Sequence, residues 1–316
     1  MGFRHATGRA WMLQPRRRAR GAGTRSAARL VALLSVGCGA ASAARPHTAG
    51  GETAASRPTT AGATLRLLEP HGPRGTALAG LYARIRIEPG GSVVLPANDC
   101  QELFAIVESG RARVRLAGVA EPVDVEGGWV LYAGAPPGLS LGNPFEQTVE
   151  LLLAVARHRS APFDPSTSLE DALYAPPSGC THPQGHRAQD PPPGWAGRID
   201  DVEALSVAAG ALSVRIVVDG PTRGARLGAL SRLEGRADLR VPEHLHEASA
   251  ELLWIEAGEG SMRVGDAELE VRPVRFVHVP AGVLHDFRGA GREPLRAWQL
   301  YVPGGPEQRF RAAPPR

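Results

Sequence analysis

The stretch that decides the fold reads Pro242-Glu243-His244-Leu245-His246, followed by Glu251 and then by Pro280-Ala281-Gly282-Val283-Leu284-His285. His244 and His246 are two positions apart, a spacing that puts both side chains on one face of a β-strand. Glu251 leads into an apolar run typical of a second strand, and the Pro-x-Gly turn indicates a loop that returns His285 to the same place. Together these features predict a metal site inside an antiparallel β-barrel.

The chemistry of this set points to a transition metal. Three neutral imidazoles and one carboxylate suit first-row divalent ions, and such a set leaves coordination positions open for a substrate, for dioxygen or for water. The ligand types do not choose among Fe, Mn, Ni, Cu, Co and Zn. A closed, four-coordinate zinc site with a structural role is the alternative.

The same residues carry a family resemblance. The pattern His244-x-His246-x4-Glu251-x6-Gly258 resembles the first motif of the cupin superfamily, and Pro280-x-Gly282-x2-His285 resembles the second. The chain departs from the second motif at Val274, where the family usually has Gly, and at Gly289, where it often has Asn. The resemblance covers about the last 110 residues. It implies a double-stranded β-helix, or jelly-roll, barrel in which the three histidines and the glutamate bind one divalent ion.

The N-terminal half looks like a second, altered copy of the same barrel. The segment Glu102-Leu103-Phe104-Ala105-Ile106 matches Glu251-Leu252-Leu253-Trp254-Ile255, but no His occurs between His71 and His158. High Gly and Pro contents, 38 and 28 residues of 316, also favour short strands and turns. We therefore expect an all-β chain with two double-stranded β-helix barrels in tandem, a bicupin layout whose N-terminal barrel lacks metal ligands.

Composition shifts divide the chain into five segments. The predicted organisation is a signal or lipoprotein signal region at 1–43, a flexible tether at 44–63, a degenerate cupin-like domain at 64–160, a Pro-rich linker at 161–200 with a short helical turn near 168–174, and a metal-binding cupin domain at 201–314.

The N-terminal segment predicts export. Residues 30–44 are apolar and small, too short for a membrane-spanning helix but typical of the core of a secretory signal. The segment Leu34-Ser35-Val36-Gly37-Cys38 resembles a bacterial lipobox, which would make Cys38 a lipid attachment site; cleavage after Ala43 is the alternative. We expect a protein of the cell envelope, lipid-anchored on the periplasmic side, or a secreted one.

The basic charge belongs to this N-terminal segment. The formal net charge is +4, yet eight Arg and no acidic residue precede Cys38, so the rest of the chain is acidic. This distribution is a targeting feature and argues against nucleic acid as a partner. We expect a small-molecule partner, a membrane contact only through the lipid, and a possible homodimer. An oxidising compartment would permit a disulfide between Cys100 and Cys180.

Three further residues are candidates for catalysis. Gln299 and Tyr301 share one face of the last long strand, and His278 lies on the strand that leads to His285. Bicupin families of similar layout include quercetinases and oxalate decarboxylases. The resemblance thus implies a metal-dependent enzyme, with a dioxygenase ahead of a decarboxylase or isomerase. A metal-dependent binding or sensing protein and a structural β-protein with a residual metal are the alternatives.

Overall fold

The computed structural model describes residues 57–72, 77–164, 166, 168–174 and 194–312. Cys38, Ala43 and the rest of the predicted signal region lie outside these residues. Cys100 is disulfide-bonded, but Cys180 also lies outside the described residues, so its pairing with Cys100 stays a prediction. Among the described helices, none is long and apolar enough to cross a membrane.

The N-terminal barrel is built from two antiparallel sheets. In order across the larger sheet, its strands are β1 (Arg57–Thr60), β2 (Ala63–Leu68), β4 (Gly80–Ile87), β11 (Val149–Arg157), β6 (Gln101–Ser109), β9 (Trp129–Ala133) and β12 (Trp195–Arg198). The smaller sheet consists of β5 (Ser92–Leu95), β10 (Leu139–Gly142), β7 (Arg111–Leu116) and β8 (Val123–Glu126).

The C-terminal barrel repeats this architecture. Its larger sheet has the order β13 (Leu205–Val207), β14 (Leu212–Val218), β15 (Ala229–Gly235), β22 (Leu295–Val302), β17 (Ala250–Ala257), β20 (Arg275–Val279) and β3 (Pro70–His71). Its smaller sheet has β16 (Arg240–His244), β21 (His285–Gly289), β18 (Gly260–Val264) and β19 (Ala267–Val271). The helices are short: α1 (Leu169–Tyr174), α2 (Gly220–Arg223), α3 (Gln308–Arg311) and the 3₁₀ turns Ile199–Asp201 and Ala208–Gly210.

The buried apolar side chains form three cores. One fills each barrel between its sheets, and the third lies between the two larger sheets. The period-two alternation of the central strands explains this layering. In β6, Leu103 faces the barrel interior and Phe104 faces the other barrel; in β17, Leu253 and Trp254 divide in the same way. The predicted all-β fold with two tandem double-stranded β-helix barrels is therefore confirmed.

The two halves exchange edge strands, which the sequence did not predict. Residues 195–198, assigned by sequence to the linker, form β12 on the larger sheet of the N-terminal barrel. The short strand β3, assigned to the N-terminal domain, pairs in parallel with β20 of the C-terminal barrel. Each exchange covers a sheet edge that would otherwise expose unpaired backbone groups. The helical turn expected near 168–174 is present as α1.

Candidate metal centre

Three segments of the C-terminal barrel bring the predicted ligands together. His244 ends β16 and pairs in register with His285, the first residue of β21. His246 follows in the loop, where its carbonyl oxygen accepts a 2.8 Å hydrogen bond from the backbone N–H of Gly282. Gly282 has a φ of 75°, a conformation that favours glycine in the Pro-x-Gly turn. Glu251 projects from β17 toward the same point.

The four side chains form one compact group. One ligand atom from each of His244, His246, Glu251 and His285 lies within 4.8 Å of the others, and no other such group occurs among the described residues. Glu251 Oε2 is 3.2 Å from His246 Nε2 and 3.0 Å from His285 Nε2. The side chains of His246, Glu251 and His285 are buried, and that of His244 is half-buried. The sequence-predicted set therefore converges in space.

The backbone prepares two of the imidazoles for a metal. His244 Nδ1 is 2.8 Å from the carbonyl oxygen of Pro242, and His285 Nδ1 is 2.9 Å from that of Val283. A carbonyl oxygen only accepts, so each Nδ1 carries a proton. His244 Nε2 then keeps a free lone pair, whereas His285 Nε2 faces Glu251 Oε2 at 3.0 Å and would release any proton there when it binds a metal. Metal-bound histidines are commonly oriented in this way. The residues present thus fit a divalent transition metal, and they would hold it through three imidazole nitrogens and one carboxylate.

The electrostatics favour the metal-binding forms of His244 and Glu251, whereas for His285 the hydrogen bond to Glu251 outweighs burial and raises the pKa. Burial, together with His285 nearby, lowers the pKa of His244 to about 4. Burial by itself would raise the pKa of Glu251, but hydrogen bonds from His246 and His285 outweigh it and hold that pKa well below its ordinary value. A neutral imidazole and an ionised carboxylate are the forms that bind metal ions.

Gln299 and Tyr301, two of the candidates for catalysis, lie beside the group. Gln299 Nε2 donates a 2.5 Å hydrogen bond to Glu251 Oε1, and its own Oε1 is buried without a partner. The ring of Tyr301 packs edge-on against His246 at 5.0 Å between centroids. Both residues are buried. Gln299 orients Glu251 and lines the adjacent cavity, whereas Tyr301 packs against His246 and is not among the residues that line the cavity.

His278 lies elsewhere. It shares the face of β20 with Phe276, which packs in the core between the barrels, whereas Val277 and Val279 face the C-terminal barrel interior. His278 is 2% exposed, and none of the described contacts joins it to the metal-binding group. His278 is thus a buried histidine between the barrels. Its direct role in catalysis stays a prediction, and no contact with the metal-binding group supports it.

One residue of the site was missed by the sequence analysis. Arg309, on α3, places Nη2 3.0 Å from the hydroxyl oxygen of Tyr301 and Nη1 3.4 Å from His246 Nδ1. It lies outside both cupin-like motifs. Phe310 was the one feature of the sequence that could have indicated this contact, because it is an aromatic residue in a polar C-terminal segment. Its side chain is buried and docks that segment on the barrel.

Three of the four predicted ligands, His244, Glu251 and His285, line a small cavity with mostly apolar walls. Its volume is about 90 Å³. Leu253 and Ile255, which share the strand face of Glu251, both line it, with Met262 and Phe287 opposite. Its polar groups are concentrated around the metal-binding residues, Gln299 and Arg309. The site can therefore hold a small ligand with a polar head and an apolar remainder.

Glu102, the buried glutamate of the N-terminal barrel, has a structural role. Glu102 is fully buried, and its carboxylate accepts hydrogen bonds from the backbone N–H groups of Arg226, Leu227 and Gly228 and from the hydroxyl of Tyr132. It thus joins the N-terminal barrel to a loop of the C-terminal one. Glu102 faces the other barrel because it shares the strand parity of Phe104.

Comparison with known proteins agrees with the fold. Residues 234–303 match the family described as the cupin domain. No curated protein sequence matches the chain.

Solved structures of similar fold cover most of the chain at low sequence identity. A putative glyoxylate-induced protein from Pseudomonas aeruginosa is 14% identical with a TM-score of 0.56, covering 78% of this chain and 82% of that one. Oxalate decarboxylase from Bacillus subtilis is 16% identical with a TM-score of 0.55, covering 81% and 78%. Protein Ylba from E. coli is 13% identical with a TM-score of 0.55, covering 80% and 87%. Residues 234–303 therefore match the cupin domain, and the two barrels together have a bicupin-like fold.

Proposed function

We propose that the C-terminal barrel binds one divalent transition metal through His244, His246, Glu251 and His285. The observation that carries this proposal is the convergence of four ligand atoms within 4.8 Å, with two Nδ1–H groups already committed to backbone carbonyls. A bound ion would supply a Lewis acid with open coordination positions. The donor set accommodates Fe, Mn, Ni, Cu, Co or Zn. A structural neighbour, the Bacillus subtilis oxalate decarboxylase, is described as having Mn(II) centres.

We further propose a metal-dependent enzyme, most simply of the dioxygenase type, acting on a small organic substrate; decarboxylation and isomerisation are the other chemistries. The cavity beside the ligands supports this, because it leaves room next to the open side of the metal site. Gln299 would hold Glu251 in place, and the apolar walls would exclude water from the reacting atoms. The volume of about 90 Å³ restricts the substrate to a small molecule.

A specific observation favours a second function, metal-dependent binding or sensing of a small ligand without catalysis. Apart from the ligands, the titratable side chains that line the cavity are Asp286 and Arg309. Asp286 is engaged with Arg263, and the guanidinium of Arg309 does not lose its proton in this range. The described lining therefore holds no unengaged general acid or base apart from the metal-binding residues.

Metal analysis of the purified full-length chain tests the metal proposal. We expect about one divalent ion per chain, retained in His158→Ala, which removes a histidine of the N-terminal half, and lost in His246→Ala. Equal metal contents in the wild type and His246→Ala would refute the site.

Oxygen uptake separates the two functions. The iron-loaded protein would be tested with small diketones and short carboxylic acids. Uptake with a small substrate, abolished by His246→Ala, would support the enzyme. Binding of a small molecule without turnover by any metal form would favour the sensing protein.

We also propose export to the cell envelope, with Cys38 as the lipid attachment site and cleavage after Ala43 as the alternative. The supporting features are the apolar segment 30–44 and the lipobox-like sequence before Cys38. Intact-mass measurement of the protein from a membrane fraction would distinguish a diacylglyceryl cysteine from a free N-terminus.

A homodimer is a further proposal that analytical ultracentrifugation would test.

A further inference from the structure

Arg309 is a cation beside the metal-binding group without an acidic partner. Its guanidinium contacts Tyr301 Oη at 3.0 Å and His246 Nδ1 at 3.4 Å. In the part of the chain that the structure describes, no carboxylate lies within salt-bridge distance of it. Arg311, two residues further along α3, is paired with Asp219. A guanidinium with unused donors at the edge of a cavity is well suited to bind an anion.

The contact between Arg309 and His246 is weak. Nη1 of Arg309 lies 3.4 Å from His246 Nδ1, beyond the usual length of a hydrogen bond. Arg309 carries five N–H donors, and its contacts with Tyr301 and His246 occupy two of them. The other donors are available to a ligand in the cavity.

Charge around the cavity favours one anionic group and no second one. Arg309 is the only arginine among the lining residues, and the chain has no lysine. Asp286, the other carboxylate of the lining, is paired with Arg263. A divalent ion balanced by the carboxylate of Glu251, with Arg309 alongside, therefore leaves a surplus of positive charge at this end. The opposite walls are apolar, formed by residues such as Leu239, Met262 and Leu295. A second carboxylate there would be buried without a partner, which is costly.

The volume sets the length of the ligand. About 90 Å³ is smaller than the apolar cavity of about 150 Å³ that holds a benzene molecule. This is well below the several hundred Å³ of pockets that bind drug-sized ligands. An acid with about three to five carbons would fill the space, with its carboxylate at the metal and its alkyl chain against the apolar walls.

We propose that the metal-loaded cavity binds a short aliphatic monocarboxylate, with Arg309 as the residue that anchors the carboxylate and so determines specificity. The ligand would be recognised at two points: its carboxylate by the metal and Arg309, and its tail by the barrel interior. This inference rests on the metal site proposed above and goes beyond it by naming the class of ligand.

Calorimetric titration of the metal-loaded full-length chain tests the proposal with three probes of matched length. Butyrate carries one carboxylate, butyramide replaces it with a neutral amide, and succinate adds a second carboxylate. We expect butyrate to bind at least about tenfold more tightly than either of the other two. Butyramide or succinate binding as tightly as butyrate would overturn the proposal. This comparison needs no variant.

Variants then assign the anchor. Arg309→Gln should keep the metal and lose butyrate affinity by about tenfold or more, and Arg309→Lys should lose less, because it retains the charge without the planar fork. Arg296→Gln is the matched control, since Arg296 is exposed and paired with Glu293; it should bind butyrate as the wild type does. Unchanged butyrate affinity in Arg309→Gln would overturn the assignment.

Metal content measured on the same samples separates the two proposals. A wild-type protein without metal would refute the proposed metal site and this inference with it. A wild-type protein that holds its metal but does not bind butyrate would refute this inference alone. If Arg309→Gln does not fold, as judged by circular dichroism, the butyrate, butyramide and succinate comparison in the wild type decides.

Discussion

Gln299 Nε2 lies 2.5 Å from Glu251 Oε1, while Oε2 of the same carboxylate faces His246 and His285. The amide therefore fixes the rotation of the carboxylate, so that one oxygen is directed at the centre of the imidazole cluster. Partners of this kind orient a ligand before the metal arrives, and their loss commonly costs ten- to hundredfold in metal affinity.

Replacing Gln299 with Leu should weaken metal binding without removing any ligand. We expect the affinity for a divalent ion to fall by about tenfold, because Glu251 loses the hydrogen bond that orients it. Competition with a chromophoric chelator measures the affinity, and circular dichroism checks that the variant is folded. An affinity equal to that of the wild type would show that the carboxylate is oriented by other contacts.

His278 should make the metal-free protein sensitive to mild acid. Burial lowers its pKa from an ordinary value of 6.5 to about 4. As the pH falls below 6.5, the unfolded chain takes up this proton first, so stability is lost progressively until about pH 4. His278→Leu removes the contribution of this histidine to the pH dependence of stability. Between pH 7 and pH 5 the wild type should lose about 2 kcal/mol more than the variant.

Urea unfolding at both pH values, with a chelator present, measures this difference. The chelator is needed because metal binding has its own pH dependence. His244, whose pKa is also lowered, contributes equally to both proteins and cancels. Parallel losses of stability in the wild type and the variant would mean that His278 accepts a proton in the folded state as readily as in the unfolded chain.

Glu102 should contribute to the stability of the contact between the barrels. Its carboxylate accepts from the backbone N–H groups of Arg226, Leu227 and Gly228. Glu102→Ala would leave these donors without their acceptor, at about 1 to 3 kcal/mol for each group that stays buried. We expect a loss of about 3 kcal/mol in the free energy of unfolding, whereas Glu150→Ala, on the exposed end of β11, should cost under about 1 kcal/mol. Similar losses in both variants would contradict this account.

Val274 adopts a conformation that its side chain disfavours. Its φ is 58°, in the left-handed region, and the side chain is 66% exposed. A β-branched residue there is strained by about 1 to 3 kcal/mol, while glycine costs about 0.5 to 1 kcal/mol in added entropy of the unfolded chain. Val274→Gly should therefore raise the free energy of unfolding by about 1 kcal/mol. A fall in the thermal midpoint would contradict it.

The metal-binding group and the fold could be predicted from the sequence because both depend on local spacing. The His-x-His pair, the glutamate that opens the next strand and the Pro-x-Gly turn each fix a side chain by short-range geometry. The last long strand, predicted to carry Gln299 and Tyr301 on one face, is β22 (Leu295–Val302). Val274 keeps the backbone conformation typical of the glycine it replaces.

Other features depend on contacts between distant segments, and the sequence did not reveal them. The repeat alignment matched Glu102 to Glu251, but the side chains of Phe104 and Trp254 face the same core, so the true correspondence is shifted by one residue. A shift of one position reverses the face of every side chain in a strand. Likewise, Arg309 reaches the site only because α3 docks on the barrel, and no pattern in sequence specifies that distance.

X-ray absorption spectroscopy at the edge of the bound metal tests the central claim most directly, because multiple scattering counts the imidazoles around the ion. We predict about three imidazole nitrogens in the wild type and about two in His244→Ala, with the remaining positions occupied by oxygen. His278→Leu should leave the count unchanged. A wild-type spectrum without imidazole scattering, or one that His244→Ala does not alter, would contradict a centre built from His244, His246, Glu251 and His285.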